Sequence, residues 1–416
     1  MSNIIHRFKR RIEDEQGITV ILFAVSAIVL FGFVALAIDG SHLVVVRSEL
    51  QNAADAGALA GARHLYDEYG TAVNAGANQI AYDAARDNKA LAKTVGAIPV
   101  DVDQNLDVQR GHWSFASHSF APNDSLVAVP LWDVPTEELD ANTDFINAVR
   151  VVARRKANPA ASFFARIFGY QDFEMSAEAI AYIGFAGTLA PGDVDQPIAI
   201  CKESILSNDV YSCNIGRMIN SGGDVESSET GGWTDFNQEN PCLGGTNAKE
   251  VSDLICAAGN PATIFLGDPI ATNGGQIQSA FDNLIDCWKD HLDRNGLVPW
   301  NLTLPVITCP KNNITRCQEV RGAVNLNIIW ITEAGTDPNY NQAPTQMGDW
   351  SSTSTVGSER WDSFVSRFNL QNVNGTPAPY EKKSIYFLPD CTPHELKGKT
   401  GGENFGVLAK YPVLVK

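Results

Sequence analysis

Residues 18–38 read ITVILFAVSAIVLFGFVALAI, a run without a charge. As one helix at ~1.5 Å per residue it covers ~31 Å, against a bilayer hydrocarbon core of ~30 Å. Apart from Thr19 and Ser26 nothing polar interrupts it, so it offers no wet face and does not read as the core helix of a soluble domain. It also exceeds the apolar segment of ~7–15 residues in a secretory signal, although Ala35 and Ala37 form an A-x-A pattern ahead of Ile38. The reading is an uncleaved transmembrane helix over 18–38.

The flanks orient it. Residues 1–17 hold His6, Arg7, Lys9, Arg10 and Arg11, and Asp39 follows the span. Basic residues beside a span stay on the cytoplasmic side. The amino end is therefore expected inside and the bulk of the chain outside. A pilin-type leader cut after Gly17 is an alternative, giving a minor pilin-like subunit. Pilins carry a glutamate five residues after the cut, and that position here is Leu22.

Net charge is −17 over 416 residues, and only the amino-terminal tip is basic. That argues against nucleic acid and for a self-repelling exported surface. Cysteines are absent from 1–200 and then number eight: Cys201, Cys213, Cys242, Cys256, Cys287, Cys309, Cys317 and Cys391. An even set confined to the exported end suggests disulfides, which persist in an oxidising compartment. No C-x-x-C and no zinc-finger Cys/His spacing competes with that reading. Short loops suggest Cys309 with Cys317 and Cys201 with Cys213.

Beyond Ser41 the span runs into HLVVVRSELQNAADAGALAGARHLYDEYG, ended by Gly70. Ala54, Ala58 and Ala62 form one small-residue row, with Gly57 and Gly61 beside it. Such rows let helix backbones approach closely. They would pack on the next helix, or on another anchored chain to make a homo-oligomer. Thr71 to Lys93 reads as a second helix with Ile80, Ala84 and Leu91 inward. Short β runs follow: AIPVDVDQ, LDVQRGHWSF, SLVAVPLW and INAVRVVARR. Asn158-Pro159 is expected to open a short helix, with Phe163, Phe164, Ile167 and Phe168 on its apolar face and Gly169 as its stop. FEMSAEAIAYIGF closes a small α+β unit at 97–187, and 188–197 reads as a linker.

Residues 198–416 read as a cysteine-bearing α+β domain. Asn247 with Glu250 starts a helix in AKEVSDLICAAG. GGQIQSAFDNLIDCWKDHLDRNG is the clearest helix, with Ile277, Phe281, Leu284, Ile285, Trp288 and Leu292 on one face. RGAVNLNIIWITEAG alternates like a central strand, with Val324, Leu326, Ile328 and Trp330 on one side. Further strands are expected in SIYFLP and FGVLAKYPVLVK. The fold class is thus α+β: one transmembrane helix, juxtamembrane helices to residue 96, then two extracytoplasmic modules.

DEQGITVILFAVSAIVLFGFVALAIDGSHLVVVRSELQNAADAGALAGA resembles the amino-terminal domain of TadG-like proteins, from the bacterial tight-adherence (Tad/Flp) pilus system. The D-E-x-G entry, the aspartate ending the span and L-Q-N-A-A-D-A-x-A-L-A-G-A carry the likeness, over 12–64. VQRGHWSF, NAVRVVARRKANPAASFFARIFG and MSAEAIAYIG resemble the Tad-like domain that often follows. Beyond residue 195 only GGWTDF, a helix ending near Cys256 and LPVITCP are similar. The resemblance implies a single-pass inner-membrane protein with a periplasmic bulk that works with other pilus-assembly envelope proteins. It brings no catalytic residues. Some relatives carry a von Willebrand type A domain with a D-x-S-x-S metal site; here Asp39-Gly40-Ser41 runs into Leu43 and no such site forms.

Catalytic signatures are missing from the sequence. There is no G-x-S-x-G. His394-Glu395 begins an H-E-x-x-H, but residue 398 is Gly. Gly398-Lys399-Thr400 ends like a phosphate loop, with Pro393 where the first glycine belongs. Asp101, Asp103, Asn105 and Asp107 have calcium-loop spacing, yet Leu106 and His112 occupy the sixth and twelfth positions. Asp282, Asp286 and Asp290 read as a wet helix face, and His112 and His118 as structural. Asn301-Leu-Thr and Asn313-Ile-Thr match glycosylation sequons and carry little weight in a bacterial chain. No enzyme, metal or cofactor is expected. The alternative is an exported glycan-binding adhesin or enzyme working through 198–416, with Trp233, Trp300 or Trp350 around a cleft.

Overall fold

The computed structural model describes residues 2–87, 101–207, 210–213, 216–220, 231–244, 246–274, 277–309, 314–332, 346–347, 350–371 and 375–416. An amino-terminal apolar helix leads into sheet-rich α+β structure.

Helix α1 runs unbroken from Ser2 to Arg63. Its 62 residues make a rod of ~93 Å. It is the one helix among the described residues long and apolar enough to cross a membrane, and its most apolar window is bare of protein contact. The helix ends at Arg63, before Gly70. Residues 64–76 form tight turns, in which the Asp67 carboxylate accepts from the Thr71 amide at 2.6 Å. Helix α2 then runs Ala77–Asp87, starting later than Thr71. Its buried row is Ala77, Ala81 and Ala85, one position round from the expected Ile80 and Ala84. The expected Leu91 lies outside the described residues.

Alanine rows meet here. Ala54, Ala58 and Ala62 are fully buried, as are the three alanines of α2. At Gly57 an added Cβ would lie 2.8 Å from the Ala81 carbonyl oxygen and 2.9 Å from the Ala85 Cβ. At Gly61 it would lie 2.7 Å from the Ala81 Cβ and 2.9 Å from Val149. The expected packing row is thus occupied by the chain's own second helix and first sheet.

That sheet has five strands. In chain order they are β1 (Val108–Ser114), β2 (Ser119–Pro122), β3 (Ala148–Ala161), β4 (Asp172–Tyr182) and a last short strand, Val413–Leu414; their spatial order is last strand, β4, β3, β1, β2. All pairings are antiparallel. Ala177, Ala179 and Ala181 of β4 alternate toward α1, together with Val149, Val151 and Ala153 of β3. The other face of the sheet carries Trp113, Ile180 and Tyr182. The stretch SLVAVPLW, expected as a strand, makes only an isolated bridge, Ala72 to Val127.

The long β3–β4 hairpin corrects another expectation. Asn158-Pro159 does not open a helix but lies inside β3. The ladder slips between Arg155 and Ala160, where proline's missing donor is tolerated. There the amides of Lys156 and Ala157 turn aside to the Asp101 carboxylate, at 3.0 and 2.8 Å. Only Ala165–Phe168 is helical, as one 3-10 turn, stopped by Gly169 at φ +95°.

The second sheet runs Gly231–Trp233, Ile198–Cys201, Trp300–Ile307, Cys317–Ile331, Ser384–Pro389, Arg217–Asn220, with Pro269–Ala271 also paired to Cys317–Ile331. Cys317–Ile331 is its long central strand. Val324, Leu326 and Ile328 pack with Phe281, Leu284, Ile285 and Trp288 of the helix Gln278–Asn295. Ile329 and Tyr386 pack oppositely with Trp361 and Phe364 of the helix Gly357–Arg367. Trp330 keeps the expected side, its ring meeting Trp288 edge-on at 4.9 Å, although the ladder shifts between Ile328 and Trp330.

Thr188–Pro197 is folded into the core of the second unit rather than strung out as a linker. Leu189 and Val194 are fully buried, and Leu189 exchanges amide bonds with Ile264. Strand Phe185–Thr188 pairs with Lys397–Gly402, which pairs in turn with Ala409–Tyr411. FGVLAKYPVLVK therefore supplies two short strands, and Val413–Leu414 crosses back to β4.

All eight cysteines pair. The bonds are Cys201–Cys309, Cys213–Cys391, Cys242–Cys317 and Cys256–Cys287, with Cα separations of 5.5, 5.6, 5.1 and 6.4 Å. The expected short loops Cys309–Cys317 and Cys201–Cys213 do not form. The sheet decides the partners: Ile307 and Cys201 sit side by side in parallel strands, so Cys309 reaches Cys201.

Two outcomes follow from this packing. Gly61→Ala should lower stability by about 1–3 kcal/mol through overpacking. Gly40→Ala, where nothing lies within 4 Å of the new Cβ, should not lower it. Equal denaturation midpoints for the two variants would refute the close-approach argument. Reduction should lower the thermal midpoint, since opening loops of 31 to 178 residues removes about 3–5 kcal/mol per bond in the loop-entropy account. Identical melting curves with and without reductant would count against structural bonds.

Candidate functional site

Asp39 is the first charged residue after the apolar run. Within the fold it is buried, with 7 % of its surface exposed. Its Oδ1 accepts from the Phe163 amide at 2.8 Å and the Phe164 amide at 3.3 Å. Its Oδ2 accepts from the Phe164 amide at 3.0 Å and the Ala165 amide at 2.7 Å. The carboxylate thus satisfies the donors that open the 3-10 turn, which have no partner within the turn itself. One turn on, the His42 ring meets Phe163 edge-on at 5.2 Å.

The clamp has a second hold farther along. The Gln51 side chain donates to the Glu178 carbonyl of β4 at 3.2 Å. From Asp39 to Gln51 is ~18 Å along a helix, and from Glu178 back to Asp172 is ~20 Å along a strand. The hairpin therefore lies alongside α1, with its tip level with Asp39. Glu178 itself is bridged by Arg150 at 2.5 Å and Lys416 at 2.8 Å. Burial raises its pKa, but these two cations outweigh that and hold it below the ordinary value.

The sequence named Asp39 as the end of the span and Phe163, Phe164, Ile167 and Phe168 as a helix face. It did not join them, because 124 residues separate Asp39 from Phe163. The phenylalanines also do not pack inward as a helix face would.

Elsewhere the candidate ligands are taken up structurally. Asp103 caps the amide of Asn105, and Asp107 pairs with Arg154 at 2.6 Å. The nitrogens of buried His112 face the carbonyls of Phe145 and Asp140 at 2.8 and 2.7 Å. Asp282, Asp286 and Asp290 are exposed along their helix. The grouping Cys201, Glu203 and Cys309 has metal-ligand proximity, but its two sulfurs are joined in a disulfide. Trp233 and Trp350 are buried, and Trp300 stacks on His291 at 5.9 Å, so these rings do not surround a cleft. Asn313 lies outside the described residues.

The arrangement most like catalysis is Asp390 with His394, at 2.5 Å. His394 lines a cavity of about 220 Å³ at the seam between the units, with Tyr69, Trp132 and Leu408. Thr392 lies 3.2 Å from His394 Nε2 and donates to Asp390 Oδ1 at 2.8 Å. A nucleophile relay needs hydroxyl and carboxylate on opposite ring nitrogens. Here both meet Nε2. Asn301, of the first sequon, donates to the same Asp390 carboxylate at 2.5 Å. The group ties strands together: the Asp390 amide bonds the Asn325 carbonyl, and its neighbour Cys391 is bridged to Cys213.

Burial raises the pKa of Asp390, but bonds from His394 and Thr392 outweigh it and hold the carboxyl below its ordinary 3.8. A folded pKa below the unfolded one adds stability above the unfolded value, lost as pH falls through the folded one. Asp390→Asn should therefore flatten the acid limb of a urea-midpoint curve as pH falls below the ordinary carboxyl value of 3.8. An acid limb as steep as that of the parent protein would show that Asp390 is not the linked group.

Residues 17–64 match the Flp pilus-assembly family described as TadE/G-like, and residues 60–181 match the Tad-like Flp pilus-assembly family. No curated protein and no solved structure matches the chain. The two matched regions contain the apolar helix, its small-residue row, Asp39 and the hairpin that Asp39 holds. Over residues 17–181 the chain is thus similar to the TadE/G-like and Tad-like Flp pilus-assembly families.

Proposed function

We propose that this chain is a membrane-anchored, non-enzymatic accessory of Tad/Flp pilus assembly or anchoring, acting through protein–protein contacts in the cell envelope. The observation that carries it is the unbroken α1, which leaves the apolar span and becomes part of the core of the first sheet. A helix built this way holds a folded domain at fixed height above a membrane, a scaffold's task. The basic tip before residue 18 supports a cytoplasmic amino end at the bacterial inner membrane. The four disulfides support a periplasmic bulk. The Asp390–His394 geometry and the buried tryptophans favour a structural reading of the second unit over an enzyme or glycan binder.

In the source bacterium, in-frame deletion of this chain should abolish or strongly reduce surface pili, with recovery on complementation. Full piliation in the deletion strain would sink the proposal. Envelope crosslinking followed by copurification should recover other pilus-assembly proteins with the full chain.

A further inference from the structure

Between Ser162 and Gln171 the hairpin tip reads FFARIFGY, and its apolar side chains face outward. Ile167 is 76 % exposed, Phe168 78 % and Tyr170 63 %, with Phe163 at 51 %. Elsewhere on the folded units exposed large apolar side chains such as Leu243 and Phe265 are scattered. At the tip they are concentrated in one turn. Asp39 binds that turn by three amides, at the level where the apolar span of α1 ends.

We propose that this tip is a membrane foot, seated in the domain-side leaflet of the bilayer that holds α1. The occupant of the apolar face is lipid, because the face continues the surface of the span. Ile38 is exposed beside Asp39, and the apolar skin of α1 resumes above it at Val44 and Val45 before Arg47. The composition suits an interface: aromatic rings at headgroup depth, and Arg166, exposed in the same turn, long enough to reach lipid phosphates. Irregular backbone near hydrocarbon needs its polar groups satisfied. Here Asp39 takes the amides of Phe163, Phe164 and Ala165. The amides of Ile167, Gly169 and Tyr170 bond to carbonyls of Phe164, Arg166 and Ala165. The foot gives α1 a second point of contact with the bilayer, which fixes its tilt and rotation.

The inference rests on the anchoring reading, and its test separates the two. The full chain is reconstituted in vesicles of phosphatidylcholine and phosphatidylglycerol. Nitroxide labels are placed singly at Ile167→Cys, Phe168→Cys, Leu30→Cys within the span and Leu243→Cys on the far unit. Collision rates with oxygen and with a water-soluble nickel chelate are then compared. The oxygen-to-nickel ratio at Ile167→Cys and Phe168→Cys should exceed that at Leu243→Cys several-fold, approaching that at Leu30→Cys. A tip ratio equal to that at Leu243→Cys, with Leu30→Cys still in lipid, overturns the foot alone. Exclusion of both reagents from the tip also overturns it, since protein would then cover the face. A water-like ratio at Leu30→Cys overturns the anchor itself.

Discussion

The close approach of α1 to α2 and to the β3–β4 hairpin is the constraint on which the first unit depends. The contact surfaces there are rich in small side chains: Ala54, Ala58 and Ala62 on α1, Ala77, Ala81 and Ala85 on α2, Ala177, Ala179 and Ala181 on β4, with Val149 and Val151 of β3 set against the glycines of α1. Alanine and glycine bury little area each, so such an interface gains less from hydrophobic transfer than a leucine seam would. It gains rigidity instead. Backbones that nearly touch leave few alternative packings, and dispersion contacts form along the whole row. That suits a helix whose most apolar window is bare of protein contact.

The sequence showed the local elements well and the long-range joins poorly. The span, the alanine row, the helix Gln278–Asn295 and the central strand were legible because periodicity is a local property. Asn158-Pro159 misled because its start signals are also compatible with a slip in an extended ladder, and only the pairing with β4 decides between them. The cysteine pairs were not legible, because a parallel strand pair brings Cys201 beside Cys309 across 108 residues. Nor was the place of the last strand: one was expected in FGVLAKYPVLVK, but not that its Val413–Leu414 would complete the first sheet beside β4. Asp39 was visible as punctuation after the span but not as a ligand for amides in a turn that had been expected to be a helix.

The division of cysteines follows the division of cores. The first unit has a helix running through it and a sheet stitched by long antiparallel ladders, and it holds no cysteine. The second unit gathers short strands and loops around one long strand, and two of its disulfides fasten helices to the rest of the unit. Cys256–Cys287 ties the end of helix Ala248–Leu254 to the helix Gln278–Asn295, and Cys242–Cys317 fastens the short helix Pro241–Gly244 to the central strand. Cross-links contribute most where native segments are short and the loops between them long.

Asp39 then explains why the unbroken helix matters. A rod embedded at one end transmits tilt to whatever is fixed to it, but only when the fixing points lie well apart. Gln51 and Asp39 hold the same hairpin ~18 Å apart along the axis. Two such points resist rotation of the hairpin about the helix, whereas one would act as a swivel. The lower point is charge-assisted and therefore the stronger of the two. It also sits where an unpaired carboxylate beside hydrocarbon would be costly, so the turn that it holds is the turn that makes its own position tolerable. Helix and hairpin tip are each incomplete alone at that level, and each supplies what the other lacks.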